Sequence, residues 1–139
     1  MIAVPLKSFG PIDFGSGSDV CRLVFGEPDE KEEMEGVDGS SSQVWHYWEK
    51  GFSLFFDPDN DFNFVCAEVD NSVQLLMFDT PIFELSEQQL IQFMKSKGFN
   101  VTDTEQHEWG ERRVSFDDIF ADFYFEHGKM MSVNYSIEH

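Results

Sequence analysis

The sequence predicts an α+β fold, in which an antiparallel sheet of about six to eight strands carries two or three short helices packed on it. Two observations support this prediction. Short segments rich in Phe, Trp and Tyr are separated by clusters of turn residues, which is typical of antiparallel strands. Two capped amphipathic segments precede two groups of such strands, which is typical of short helices. The 139 residues correspond to a single domain over residues 1–139, and the aromatic content of 16% excludes a disordered chain.

The first helix is predicted to follow an N-terminal strand and loop. Residues 16–19 (Ser-Gly-Ser-Asp) supply hydroxyl and carboxylate groups that suit a helix N-cap. Behind them, Val20, Leu23 and Val24 recur at helical spacing and form one apolar stripe, which we expect to face the core. Gly26 is predicted to end the helix as its C-cap.

The stretch from Glu27 to Ser42 is the most polar part of the chain and is predicted to be a long solvated loop. Only one basic residue, Lys31, interrupts its negative charge. Its acidic residues are Glu27, Asp29, Glu30, Glu32, Glu33, Glu35 and Asp38. Long loops in compact domains are usually functional or mobile, so this stretch is a candidate for partner binding.

Two groups of four strands are predicted, one on each side of a second helix. The second helix opens at a capping box formed by Ser86 and Gln89 and ends at Gly98. His127-Gly128 is a two-residue hairpin turn inside the second group. The predicted strands cover residues 44–48, 52–56, 62–69 and 73–78 in an antiparallel meander, and residues 100–109, 112–116, 120–126 and 129–137 after the second helix.

The same order of elements thus occurs twice, and the two halves would cover residues 10–80 and 85–137. The segment Trp48–Asp57 can be laid against Trp109–Asp117 with a handful of identities. A duplication is one interpretation. The other is that any α+β chain of this size contains two helix-then-strands passages.

The segment from Asp57 to Asp61 resembles a calcium loop in its spacing. Asp57, Asp59 and Asp61 stand at relative positions 1, 3 and 5, and Glu68 falls at position 12. Position 6, where such a loop needs glycine, is Phe62, and the flanking segments are strand-like. A hairpin turn is the simpler interpretation, and we expect no bound metal.

Sequence signals for catalysis are lacking. The chain has no G-x-S-x-G, no phosphate-binding glycine loop and no Cys/His set at zinc spacing. Acidic pairs are so numerous that their proximity carries little information. We therefore expect no catalytic residues, no cofactor and no enzyme activity.

The charge of the chain limits its partners. Asp and Glu number 27 against 9 Lys and Arg, which gives a net charge of −18. This field repels phosphate backbones, so nucleic acid and anionic membranes are not expected as partners, whereas basic protein surfaces are. No long apolar segment and no basic leader are found, so we expect a cytoplasmic protein without a membrane span.

Two segments resemble small bacterial immunity proteins, the antidotes of contact-dependent and other polymorphic toxins. They are Gly-Ser-Asp-Val-Cys-Arg-Leu-Val-Phe-Gly-Glu-Pro over residues 17–28 and Gly-Phe-Ser-Leu-Phe-Phe-Asp over residues 51–57. The resemblance covers roughly residues 10–100, and immunity proteins share the size and acidity of this chain. The tandem helix-then-strands order is also similar to the secreted bacterial inhibitor of β-lactamase. Both resemblances imply a protein that acts by occluding another protein.

We therefore expect an immunity protein that neutralises a cognate toxin with a basic surface. A nuclease is the toxin class that this charge favours. Acidic residues would steer the encounter, and aromatic residues would anchor the complex. The predicted partner-binding residues are Glu27, Asp29, Glu30, Glu32, Glu33, Glu35, Asp38, Trp45, Tyr47, Trp48, Asp57, Asp59 and Asp61. The alternatives are an acidic adaptor or accessory subunit of a housekeeping enzyme, a calcium-binding module and an enzyme.

Overall fold

A computed structural model describes residues 1–35, 41–58 and 61–137. The predicted site residues Asp38 and Asp59 lie outside this range. Over the described residues the chain is mainly β, with two α-helices and two sheets. The predicted α+β class is therefore confirmed, but the strands form two sheets rather than one.

The main sheet has eight antiparallel strands in the order β10-β11-β12-β13-β7-β6-β5-β4. Its aromatic-rich strands match the predicted segments, and the predicted turn at His127-Gly128 joins β12 to β13. The strands are β4 (Glu30–Glu35), β5 (Ser41–Tyr47), β6 (Phe52–Asp57), β7 (Asn63–Asp70), β10 (Asp103–Gln106), β11 (Glu111–Phe116), β12 (Ala121–Glu126) and β13 (Lys129–Ser136).

The small sheet has five short strands in the order β3-β2-β1-β8-β9. They are β1 (Ile2–Val4), β2 (Ser8–Phe9), β3 (Ile12–Asp13), β8 (Leu76–Met77) and β9 (Thr80–Pro81). The prediction that residues 73–78 extend the meander is wrong, because β8 pairs in parallel with β1. Phe78 and Asp79 adopt positive φ angles of 52° and 60°, so the chain reverses at once into β9.

The second helix, α2 (Glu87–Ser96), begins at the predicted capping box. The Ser86 hydroxyl accepts the N–H of Gln89 at 3.2 Å, and the Gln89 side chain accepts the N–H of Ser86 at 3.0 Å. Leu90 and Met94 on this helix are buried in the core.

The first helix, α1 (Ser18–Phe25), turns a different face to the core from the one predicted. Val20, Leu23 and Val24 are exposed, and Cys21 is the buried residue of the helix. Phe25 explains the difference, since its ring packs against Phe9, Tyr47 and Phe52 at centroid distances of 5.8, 6.0 and 4.8 Å. Packing this ring among three other aromatic rings stabilises this orientation of the helix. The predicted side-chain N-cap is also absent, because Gly17 occupies that position.

Both helices and the small sheet pack on one face of the main sheet. The Tyr135 hydroxyl on β13 donates to the carbonyl of Ser8 on β2 at 3.0 Å. Phe9 packs edge-on against Phe52, and the Arg22 guanidinium of α1 lies over the Trp45 ring. Since β-strand side chains alternate between faces, the core contains every second residue of these strands. No described element covers the opposite face, which we call the open face.

The main sheet consists of two four-stranded meanders, each preceded by a helix. Helix α1 precedes β4 to β7, helix α2 precedes β10 to β13, and β7 pairs with β13 at the junction. The sequence correspondence of Trp48–Asp57 with Trp109–Asp117 sets β6 against β11, whereas the order of strands would set β6 against β12. The two halves thus share their order of elements, but the segments that match in sequence contain the third strand of the first meander and the second strand of the other. Within the described ranges, no helix is long and apolar enough to cross a membrane.

Candidate protein-binding surface

The open face carries a row of polar side chains that crosses the whole main sheet. Register pairs connect one residue on each strand to the next, and all eight are polar. This row explains why the face stays uncovered, since removing its four carboxylates from water would be costly. From edge to edge the row is Glu30, His46, Ser53, Glu68, Asn134, Asp122, Ser115 and Asp103.

His46 is held rigidly at one end of this row. Its Nε2 lies 2.8 Å from Glu32 Oε2, and its Nδ1 lies 2.8 Å from Ser53 Oγ. A carboxylate only accepts hydrogen bonds, so Nε2 carries a proton and donates to Glu32, while Nδ1 shares a hydrogen bond with the Ser53 hydroxyl. The ring also stacks on Trp48 with centroids 4.1 Å apart and planes 7° from parallel. The network therefore fixes the orientation of the Trp48 indole.

Glu32, His46 and Ser53 contain the residue types of a nucleophilic triad, but their surroundings do not suit acyl transfer. Ser53 lies within β6, where the ladder to β5 and β7 uses the backbone N–H groups. Glu68 is its register partner on β7, so an oxyanion formed at Ser53 would face a carboxylate. Desolvation raises the pKa of Glu68, and the negative charges of Asp70 and Glu111 add to that effect while His46 opposes it.

Of the three predicted aromatic anchors, only Trp48 is exposed. Trp45 and Tyr47 have exposed fractions of 2% and 1%, whereas Trp48 has 59%. The expectation that Trp45 and Tyr47 form a surface patch is therefore corrected. They occupy the core face of β5, where the Tyr47 hydroxyl donates to the carbonyl of Gly26 at 2.9 Å. Trp48 follows the strand in the β5–β6 turn and stacks on His46, so it lies on the open face, opposite Trp45 and Tyr47.

The predicted acidic loop is wrong in its secondary structure, because residues 30–35 form the edge strand β4. All six residues are exposed, and the strand pairs with β5 along its length. Backbone pairing with a hydrophobic neighbour forms this strand despite its poor β propensity, and charge is what an exposed edge requires. The predicted loop segment around Asp38 lies outside the described residues.

Within β4, several acids form no ion pair with a described residue. No ion pair is found for Glu30, Glu33 or Glu35 among the described residues, and Glu32 is bound to His46. Glu27, just before the strand, is partly neutralised by Arg22 at 2.5 Å and by Lys31 at 3.9 Å.

Asp29 precedes β4 and has a backbone partner. Its carboxylate accepts the N–H of Glu49 at 3.3 Å. This contact ties the start of the acidic strand to the turn that carries Trp48. The acidic strand and the exposed indole therefore form one continuous surface.

The opposite edge of the main sheet, β10, is acidic too, but its two acids share one guanidinium. The Arg113 guanidinium donates to Asp103 at 2.9 Å and to Glu105 at 3.0 Å, and it lies 3.8 Å from Asp122. Its hydrogen bond lowers the pKa of Asp103, and the same partners raise the pKa of Arg113. Both acids of β10 thus contact a guanidinium, whereas three acids of β4 form no ion pair among the described residues.

The predicted turn acids lie near the other end of the open face from Trp48. Asp57 ends β6, and Asp61 lies in the following turn with a positive φ of 53°. The N–H of Phe62 donates to the carbonyl of Asp57 at 2.8 Å, which closes the turn. Among the described residues, no group of three or more His, Cys, Asp or Glu is placed to hold a metal ion.

A second His–Trp stack, which the sequence reasoning missed, lies at the β10–β11 turn. His107 and Trp109 have centroids 4.2 Å apart and planes 10° from parallel, and Trp109 is 70% exposed. Glu105 Oε1 lies 3.4 Å from His107 Nε2. The repeated spacing His-x-Trp at 46–48 and 107–109 is the signal that could have revealed both stacks.

Apolar side chains are exposed on the helix side of the molecule. Ile2 and Leu76 are register neighbours on the small sheet, with exposed fractions of 55% and 36%. Leu23 on α1 is 87% exposed. This apolar surface is the main competitor of the open face as a place for a partner to bind.

Searches with protein-family models, among curated proteins and among solved structures found no match to this chain.

Proposed function

We propose that this chain is an immunity-type inhibitor that neutralises a toxin domain by binding its basic surface. The β4 edge and the adjacent open face would form the binding surface. The single observation that carries the proposal is the asymmetry between the two sheet edges. Both acids of β10 form ion pairs with Arg113, while Glu30, Glu33 and Glu35 on β4 form none with any described residue.

Two features of this surface suit a protein partner. Uncompensated charge steers a basic surface toward it over distances of about 10 Å at ordinary salt concentrations. Trp48 then supplies a large ring that is already oriented by its stack on His46, so little side-chain entropy is lost on binding. Steering and a preorganised anchor thus lie side by side.

A nuclease domain is the preferred target. Nucleases present basic clefts that bind a phosphate backbone, and an acidic strand with carboxylates on both sides can occupy such a cleft. The chain's net charge of −18 matches this role better than it matches a neutral partner.

The test is to capture the partner from the source cells with the tagged protein, elute it with a salt step and assay its nuclease activity. An equimolar amount of the protein is expected to abolish that activity. A housekeeping enzyme whose activity is unaffected by binding would contradict inhibition and support an adaptor.

Two matched variants locate the surface. Trp48→Ala removes the exposed ring near the β4 edge, and Trp109→Ala removes the exposed ring near the β10 edge. We expect Trp48→Ala to weaken inhibition by at least about tenfold, which is the range of an interface anchor, and Trp109→Ala to leave it within about twofold. Equal losses, or a loss only in Trp109→Ala, would refute the assignment of the β4 side.

A further inference from the structure

The open face contains a cleft of about 370 Å³ at the end remote from Trp48. Phe55 and Asp57 on β6 form one wall, and Phe120 and Asp122 form the other. The two walls are three strands apart, which corresponds to roughly 14 Å at the usual strand spacing. We call this feature the aromatic–acidic cleft.

The floor of the cleft is built by an irregularity in β7. The register shifts between Phe55 and Phe56, which inserts Val65 as an extra residue in β7. Phe64 and Cys66 would normally face the same side of the sheet, but the extra residue leaves Phe64 in the core and turns Cys66 toward the cleft. The Cys66 thiol donates to Asn134 Oδ1 at 2.8 Å, and burial raises the pKa of this thiol, so the floor is neutral and polar.

The side chains around the cleft suit a cation that also has a flat, weakly hydrated surface. Two carboxylates and the rings of Phe55 and Phe120 line it, and its lining among the described residues includes no Lys, Arg or His. Asp122 is held in place by the Ser115 hydroxyl, which donates to it at 2.5 Å, and the Arg113 guanidinium lies 3.8 Å from the same carboxylate oxygen. Carboxylates attract any cation, whereas aromatic walls favour a planar guanidinium over a strongly hydrated ammonium.

We propose that the aromatic–acidic cleft binds the guanidinium group of an arginine side chain that the partner protein inserts into the open face. This inference rests on the proposed function, because it names the group by which a basic partner would be recognised. It adds a specific pocket to the general attraction of the β4 edge.

The test is an NMR titration of the ¹⁵N-labelled full chain with the peptide acetyl-Gly-Arg-Gly-amide. The matched probes carry citrulline, which is neutral and of the same shape, or lysine in place of arginine. The variant Asp57→Asn/Asp122→Asn removes both carboxylates but keeps hydrogen-bonding side chains. The control variant Glu108→Gln/Glu126→Gln removes two exposed charges at the other end of the main sheet.

We expect saturable shifts confined to amides around residues 55–57, 65–66, 120–122 and 134–136. The double Asn variant should bind the arginine peptide at least about tenfold more weakly, and the Gln control should bind it like the native chain. The citrulline peptide should give no shifts, and the lysine peptide should bind several-fold more weakly than arginine. Equal binding of arginine and lysine, or shifts spread over all acidic surfaces, would overturn the proposal.

A second variant keeps the test decisive if the Asn substitutions disturb folding. Phe55→Leu removes an aromatic wall but retains an apolar side chain. It should weaken binding of the arginine peptide and leave binding of the lysine peptide unchanged.

Failure of the cleft and failure of the proposed function remain distinguishable. Captured nuclease that is inhibited normally by the double Asn variant would refute the cleft alone, whereas peptide binding without any inhibited partner would refute the inhibitor function alone.

Discussion

Replacing Trp45 or Trp48 by alanine tests which of the two residues belongs to the core and which belongs to the proposed binding surface. The two residues are three positions apart on one strand and its turn, yet their exposed fractions are 2% and 59%. We expect Trp45→Ala to reduce the free energy of unfolding strongly, and Trp48→Ala to reduce it weakly while impairing partner binding.

The magnitudes follow from the buried area. A fully buried tryptophan removes about 150–250 Å² from water, which is worth roughly 4–6 kcal/mol at about 25 cal/mol per Å². Two contributions at Trp45 oppose each other. Lys31 and Arg22 lie over its ring at 4.9 and 5.1 Å, whereas its buried Nε1 has no hydrogen-bond partner among the described residues. We therefore expect Trp45→Ala to cost about 3–5 kcal/mol, the usual range for removing a core tryptophan.

For Trp48 the buried fraction is about two-fifths, which sets an upper limit of roughly 2 kcal/mol, including its stack on His46. Urea unfolding followed by circular dichroism measures both values without relying on tryptophan fluorescence. Similar losses for the two variants would refute the assignment of Trp45 to the core and of Trp48 to the surface. If Trp45→Ala does not fold, Trp45→Phe should fold with a smaller loss that still exceeds that of Trp48→Ala.

Three further predictions concern buried or charged groups. Tyr135→Phe removes the hydrogen bond to the Ser8 carbonyl and should cost about 1–2 kcal/mol in urea unfolding, because the buried acceptor loses its donor; no loss would contradict the docking of the small sheet. Burial raises the pKa of Cys21 to about 12 and also raises the pKa of Cys66, so both thiols should react with a disulfide reagent at pH 8 only after unfolding; rapid reaction of the native chain would show otherwise. The folded-state pKa of Glu68 is raised, so its ionised form destabilises the fold at pH 7 and this cost disappears as the pH falls below the unfolded pKa of about 4.3. Glu68→Gln should therefore raise the melting temperature at pH 7 but not near pH 3.5, and an unchanged melting temperature at pH 7 would argue against it.

Local chemistry made much of the fold predictable. The capping box at Ser86 and Gln89 and the turn at His127-Gly128 depend on neighbouring residues only, and both occur as predicted. The strand predicted over residues 120–126 likewise occurs as β12, with Phe123 and Phe125 on its core face. These signals are readable because each is decided within a few residues of chain.

The failures came from contacts between distant segments. Glu30 to Glu35 has no strand-forming character of its own and becomes a strand only through pairing with β5. The rotation of α1 is set by Phe25, whose partners include Phe9 and Phe52 from other elements. No pattern within these segments specifies such partners.

The candidate site was predictable in its charge but not in its geometry. The acidic residues near 27–35 stand out in the sequence. The pairing of Arg113 with the two acids of the β10 edge does not, because it depends on the register of β10 and β11. The consecutive large residues from Trp45 to Trp48 gave no indication of which rings face the core. That choice depends on the pairing of β5 with its neighbours, which places Trp45 and Tyr47 on the core face and leaves Trp48 exposed in the turn.

The most direct measurement of the central claim is the association rate of the captured partner as a function of salt concentration. The test variant is Glu30→Lys/Glu33→Lys/Glu35→Lys on the β4 edge. The control, Glu108→Lys/Asp118→Lys/Glu126→Lys, shifts the net charge of −18 by the same amount at exposed positions elsewhere.

If the β4 edge steers the partner, the test variant should associate at least about tenfold more slowly at low salt and show a flatter salt dependence. The control should retain most of the native rate. Equal slowing of the two variants would show that only the total charge matters, and it would contradict the β4 edge as the binding surface.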